Sequence, residues 1–267
     1  MGGRLLAQSR PPPLPLSLLL LLAVANWNNF GCNYDETTFT EVADAFVALG
    51  LADAGYKYML VQECITPAGA RDAQGRMIVD AVKFPHGFKW LCDYFHGKGL
   101  LCGIYTDVAH LTCANYEGSG PGPANPAGHW AVDALTFASW GVDMIEADFC
   151  NTGGLNMTAL QLYAGARDAI AAATAATGQK MALYQCNWGA EDPWIWGPTV
   201  ANLFRNTGDI CAPGSIAWSS ILRNFDATII HSSTPPMAPG EPGTGISAWN
   251  DPDASPRKGL ESSVGRQ

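Results

Sequence analysis

The chain has 267 residues, 48% hydrophobic and only 15% charged, a balance that supplies a sizeable core and excludes an intrinsically disordered polypeptide. That length suits a single domain of α/β-barrel size. A formal net charge of −9, with no cluster of Lys and Arg, excludes the basic face that a nucleic-acid partner requires.

Residues 1–25 read as a secretory signal peptide. Arg4 and Arg10 precede the apolar run Leu14–Ala25, which ends Ala23-Val24-Ala25 with small residues at positions −3 and −1. The run is too short to span a bilayer comfortably, so no membrane span is expected after cleavage. Export, to the outside or to a lysosome-like or vacuolar compartment, would place the eight cysteines in an oxidising environment. Cys32, Cys64, Cys92, Cys102, Cys113, Cys150, Cys186 and Cys211 form no CxxC pair. A few disulfides beside buried thiols are expected, and a metal site is not. Asn156-Met157-Thr158 is an N-glycosylation sequon in a loop.

After the leader the pattern alternates. Glu41–Ala54 has apolar residues at helical spacing and is stopped by Gly55; Tyr56–Val61 is a buried strand. Helix 88–98 leads to strand 100–107, helix 129–140 to strand 142–150, and helix 158–177 to strand 180–187. A helical stretch 193–203 leads to strand 204–209, helix 219–228 follows, and residues 245–249 begin a sixth strand. Strands alternating with helices of this length build parallel βαβ units. The strands run into Glu63, Asp107, Asp148, Asn187, Asp209 and Asn250-Asp251. Polar residues at every strand end favour a closed (β/α)8 TIM-type barrel over a doubly wound sheet, which gathers its ligands at one switch point. No glycine-rich phosphate loop follows the first strand.

Carboxylates from several strand ends, with no phosphate or metal motif, suit acid–base chemistry on a neutral substrate. Glycoside hydrolysis needs two, one as nucleophile or base and one as general acid. Asp148, between apolar neighbours, and Asp209 are the candidates; each could instead cap a helix or bind a loop amide. Trp27, Tyr105, Trp188 and Trp249 stand at or past strand ends, where flat rings stack on a sugar or simply fill core. The five histidines show no i, i+4 pair and no relation to a Ser or Cys that would support a triad.

Several strings, taken in order, resemble the melibiase-type α-galactosidases of glycoside hydrolase family 27. They are Trp27–Asn33, Gly55–Tyr58, Lys83–Gly87, Gly103–Asp107, Phe137–Asp143, Arg205–Ile210 and Trp249–Asp253. The resemblance implies a retaining exo-glycosidase that needs no cofactor and removes a terminal α-linked galactose. It places the nucleophile at Asp148, the acid/base at Asp209 and a sugar-binding partner at Arg205. Trp27, Tyr105 and Asp251 or Asp253 fall on positions lining the sugar or the pocket rim. It also implies disulfides Cys32–Cys64 and Cys113–Cys150.

Four recognition positions depart from the family. Its paired aspartates after the second strand, which grip the hydroxyls at C4 and C6, are Gln62-Glu63. Its lysine two residues before the nucleophile is Glu146, and the glutamate that reads the C2 substituent is Asn187. The longer Glu63 side chain would crowd C6 and favour a pentopyranose. The alternatives are therefore a β-L-arabinopyranosidase, an α-N-acetylgalactosaminidase, or a catalytically dead carbohydrate-binding relative. The chain is also expected to be truncated, with a partial barrel over 26–253 and a polar tail over 254–267. Because the leader abuts the Trp27 string, the family's first strand is expected to be missing.

Overall fold

A computed structural model describes residues 22–67, 69–212, 215–216, 218–231, 249–251 and 253. The strands are β1 (Leu22–Ala25), β2 (Tyr56–Val61), β3 (Leu101–Asp107), β4 (Met144–Asp148), β5 (Ala182–Gln185), β6 (Leu203–Arg205), a small antiparallel hairpin of β7 (Cys211–Ala212) and β8 (Ser215–Ile216), and β9 (Trp249–Asp251). The helices are α1 (Trp27–Phe30), α2 (Glu36–Ala48), α3 (Phe88–Gly97), α4 (Trp130–Trp140), α5 (Ala159–Thr177), α6 (Pro193–Val200) and α7 (Trp218–His231). Seven strands form one sheet in the order β1-β2-β3-β4-β5-β6-β9, every neighbouring pair parallel. Strand order following chain order, with helices between, is the winding of a (β/α) barrel, open between β1 and β9 among the described residues.

Alternation along the strands divides the apolar residues between two cores. Ile104, Ile145, Ala147 and Leu183 join Phe88, Leu91, Phe95, Phe137 and Tyr163 in the layer between sheet and helices. Leu60, Met144 and Tyr184, with Ala23, Ala25, Tyr58, Ala182 and Leu203, fill the lumen. Gly103 makes that filling possible. A Cβ there would stand 2.8 Å from Leu60 Cδ1 and 3.2 Å from Leu60 Cα. The odd residues of β4 thus face the helices, while Met144, Glu146 and Asp148 face the lumen.

Local chemistry sets the helix ends. The Asp35 side chain accepts the Thr38 N–H at 2.9 Å, completing a capping box that starts α2 at Glu36, five residues before the start predicted from periodicity. Thr158 and Gln161 cap α5 in the same way, and Gly178 ends it in the left-handed conformation. Strand β6 is shorter than predicted, so Asp209 lies four residues beyond it, in a loop. The predicted residues 245–248 and the tail 254–267 lie outside the described residues.

The missing first strand is corrected by the structure. Leu22–Ala25 pairs in parallel with β2, and Asn26 continues the pairing with its side chain. Its Oδ1 accepts the Gln62 N–H at 2.6 Å, and its Nδ2 donates to the Gln62 carbonyl at 3.2 Å. The apolar, small-residue run that resembles a leader also suits a strand lining a narrow lumen.

Three disulfides are formed: Cys32–Cys64, Cys113–Cys150 and Cys92–Cys102. The first two are those implied by the resemblance. The third joins two cysteines left unassigned and ties α3 to β3. Cys186 is a buried free thiol, and the side chain of Cys211 lies outside the described residues. Arg71 braces the loops around β3. Its guanidinium donates to both oxygens of Asp133, at 2.7 and 2.9 Å, to Glu117 at 3.0 Å, and to the Gly118 carbonyl at 2.7 Å. No helix among the described residues is long and apolar enough to cross a membrane.

Candidate active site

Asp148 ends β4, at the C-terminal rim of the sheet, and is 8% exposed. The Tyr105 hydroxyl on β3 donates to its Oδ2 at 2.8 Å, and the Phe149 N–H donates to Oδ1 at 2.9 Å. Cys113 Sγ lies 3.2 Å from Oδ2. Committed to its disulfide, that sulfur has no proton to donate and is a van der Waals neighbour. Burial pushes Asp148 up to about 6; the Tyr105 and Phe149 bonds oppose the shift, Asp209 adds to it and Arg205 reduces it. The carboxylate is therefore desolvated, fixed at both oxygens, and ionised at neutral pH.

Asp107 stands directly opposite in the β3–β4 register. Its Oδ1 accepts the Ala109 N–H at 2.7 Å and its Oδ2 the Cys150 N–H at 2.9 Å, so one side chain ties together the loops that follow β3 and β4. Burial and the nearby Asp148 raise it to about 9. One turn of the strand below Asp148, Glu146 is 3% exposed and accepts a hydrogen bond from the Gln62 amide.

Across the lumen, Arg205 on β6 is buried and holds two carboxylates. Its Nη2 donates to Asp209 Oδ1 at 2.8 Å, and its Nη1 lies 3.0 Å from Asp253 Oδ1. Burial alone would lower Arg205, but Cys186, Tyr184, Asp253 and Asp251 around it raise it above its ordinary value. Asp251 on β9 accepts from the Tyr184 hydroxyl at 2.6 Å and from the Asp253 N–H at 2.8 Å. Asp209 itself is exposed, with 56% of its side chain in solvent. One carboxylate is buried and fixed, and the other is wet and held by an arginine. The two carboxylates therefore stand in different environments on facing sides of the lumen.

The remaining sequence-predicted residues are positioned differently. Glu63 is buried, with φ +49°, and both its oxygens have protein donors: the Thr112 hydroxyl at 2.7 Å and the Ala114 N–H at 2.9 Å. It anchors the loop that carries Cys113. Asn187 is fully buried and committed to its own turn, accepting from the Gln185 amide and donating to the Ala190 carbonyl at 2.6 Å. Trp27, on α1 just past β1, is 45% exposed at the rim. Trp188 is half-buried after β5, and the side chain of Trp249 lies outside the described residues. Asn156 sits in the loop before α5 with φ +50°, exposed as a glycan acceptor requires. Sequence reasoning missed Tyr184 as a partner of Asp251; its place inside an apolar strand gave no signal of its own. Asp107, Cys113 and Cys150 bring three potential metal-ligand atoms within 4.8 Å of one another, but the two sulfurs are bonded together and offer no thiolate.

Residues 24–256 match the family model described as Alpha galactosidase A. The chain belongs to that family, glycoside hydrolase family 27. It is 42% identical over 200 residues to alpha-galactosidase A of Cellvibrio japonicus, a match covering 73% of this chain and 46% of the relative. To the alpha-galactosidase of Cyamopsis tetragonoloba it is 37% identical over 228 residues, 85% of this chain and 49% of the relative. Among solved structures, the Saccharomyces cerevisiae α-galactosidase with raffinose superposes with a TM-score of 0.74 at 28% identity, covering 94% of this chain and 54% of that one. The chain spans about half the length of the curated relatives it matches. Of the recognition positions expected from the resemblance, Gln62 and Glu146 are bonded to each other, Glu63 to the Thr112–Ala114 loop, and Asn187 to its own turn.

Proposed function

We propose that this chain carries the catalytic centre of a retaining α-galactosidase-type hydrolase that removes terminal α-linked galactose. The observation that carries the reading is the pairing of a buried, doubly fixed Asp148 with a solvent-exposed Asp209 held by Arg205. An Asp148 oxygen attacks the anomeric carbon as Asp209 protonates the departing glycosidic oxygen, leaving a covalent glycosyl-enzyme. Asp209, now ionised, takes a proton from water, whose oxygen attacks the same carbon and releases Asp148. The Tyr105 hydroxyl stays protonated, because burial and Asp148 raise it well above its ordinary value, and so remains a donor to the nucleophile throughout. The chain's own side chains supply every group this scheme uses.

The full chain is expected to hydrolyse 4-nitrophenyl α-galactoside, and the first sugar released is the α-anomer by proton NMR. Hydrolysis no faster than that of Asp148→Asn sinks the reading, and a β-anomer first product sinks retention. Entry into the secretory route is part of the same proposal, supported by the leader-like run and by three disulfides, which persist in oxidising compartments. Cleavage after Ala25 would remove β1. N-terminal sequencing of exported protein tests this: a start at residue 26 means the exported barrel lacks that strand, and no export at all rejects the leader.

A further inference from the structure

A surface helix normally turns its apolar side inward and its polar side to solvent. Helix α7 is turned the other way. Its inner row is Ser220, Asn224 and Thr228, spaced four apart along one face. The Ser220 hydroxyl donates to the Ile210 carbonyl at 2.9 Å, the Asn224 amide donates to the Gly208 carbonyl, and the Thr228 hydroxyl donates to Asn206 Oδ1 at 3.3 Å. These bonds hold to the helix the loop that carries Asp209. The outer row is Trp218, Leu222, Phe225 and Ile229, all exposed, with Trp218 69% and Phe225 57% open to solvent.

The outer row has the spacing of a helix–helix seam. Steps of four, three and four residues are those of the a and d positions of a heptad repeat, where two helices interlock side by side. Trp218 and Phe225 together leave on the order of 250 Å² of ring uncovered on each copy. Leu222, Ile229 and the flanking helix surface bring a face-to-face contact of two copies toward ~1,000 Å², the lower bound for a specific interface. The charges also permit it. Arg223 and Asp226, both exposed, are of opposite sign, so α7 adds no like charge to a chain of net charge −9. The wider repulsion is screened beyond about 8 Å at physiological salt.

We propose that this row is a self-association surface, on which α7 of a second copy lies antiparallel about a two-fold axis. An axis midway between Leu222 and Phe225 sets Phe225 of each copy against Leu222 of the other, and Trp218 against Ile229. Each layer then joins one large ring to one smaller aliphatic side chain. A two-fold contact uses the same patch on both copies and closes after two. An area at the low end of specific interfaces makes the dimer weak, with Kd on the order of micromolar. The inner row couples this surface to the loop of Asp209, but the proposal does not depend on the galactosidase reading.

The test is sedimentation velocity of the full chain from about 1 to about 100 µM, the range in which such a dimer should form. Two charged variants are compared with the parent, Leu222→Glu with Phe225→Glu and Leu222→Lys with Phe225→Lys. Both positions are exposed, so each variant should keep the parent's cooperative melt. Each alone should lose at least about tenfold in self-association, because like charges meet across the axis, and mixing the two should restore a dimer. A parent that stays monomeric throughout, or a dimer unchanged in both variants, overturns the proposal. A monomeric parent that sediments with phosphatidylcholine vesicles assigns the row to a lipid surface and also overturns it. Hydrogen exchange of the parent covers the case in which the variants do not fold. Peptides from 218–231 should gain protection as concentration rises, and protection independent of concentration overturns the proposal.

Discussion

Asp148→Asn is expected to lower turnover of 4-nitrophenyl α-galactoside by roughly four orders of magnitude or more while leaving the fold intact. The amide is isosteric, so the Phe149 N–H bond to Oδ1 can persist, but a neutral amide cannot form the glycosyl-enzyme ester. The companion variant Asp148→Gly removes the side chain and leaves room for a small external nucleophile. Azide should restore cleavage and yield the β-galactosyl azide, because it attacks from the face the aspartate used. Near-parent turnover in the variant, or rescue yielding the α-azide, removes Asp148 from the nucleophile's role. Loss of folding, read by circular dichroism, would show instead that the carboxylate is needed structurally.

Arg71→Met should cost about 3–5 kcal/mol of stability, the scale seen when one partner of a buried ion pair is removed. Asp133 is fully buried, and besides Arg71 it accepts the Ser119 hydroxyl at 2.8 Å and the Met77 N–H at 3.2 Å. Without the guanidinium, a desolvated negative charge remains in the loop cluster behind the site, and the Gly118 and Gly75 carbonyls lose their donors. Equilibrium unfolding in urea measures the loss. The double variant Arg71→Met with Asp133→Leu should recover part of it, since no charge is then stranded. A loss below about 1 kcal/mol for Arg71→Met would show that water or another donor replaces the arginine.

The parts of this molecule legible in the sequence are those set by short-range patterns. β3 and β4 are nearly continuous apolar runs with polar ends, and Asp148 could be singled out because an ionisable group inside such a run is anomalous. Asp209 was legible chiefly through the family strings, since its position in a loop beyond β6 leaves no periodic signal. The start of α2 was missed because its capping box uses Thr38 where glutamate or glutamine is the commoner third-position residue. β1 was hidden because a leader and a lumen-lining strand ask for the same small apolar residues. Glu63 illustrates a deeper limit. Consecutive left-handed residues, Glu63 and Cys64 with φ +49° and +52°, follow β2, and both carboxylate oxygens engage a loop some 50 residues away. No spacing rule reports that. The Arg71–Asp133 pair, separated by 62 positions, is equally invisible until the barrel brings β3's loops together.

The crowding of Asp107, Glu146 and Asp148 in one lumen makes folding a proton-uptake event. Unfolded, the three carboxyls titrate near their ordinary values of 3.8, 4.5 and 3.8; folded, they are raised to about 9, 8 and 6. Between these limits the native state binds more protons than the unfolded chain, so the three groups' contribution to stability is lost as pH rises from about 4, completely by about 6 for Asp148 and last for Asp107. Below about 4 the three groups are protonated in both states and impose no penalty. The melting midpoint should accordingly be higher at about pH 5 than at about pH 8, and the reverse order would contradict the shifts. These three carboxyls favour the folded state in mild acid. The same carboxyls that perform or support the chemistry thus bias the protein toward acidic surroundings.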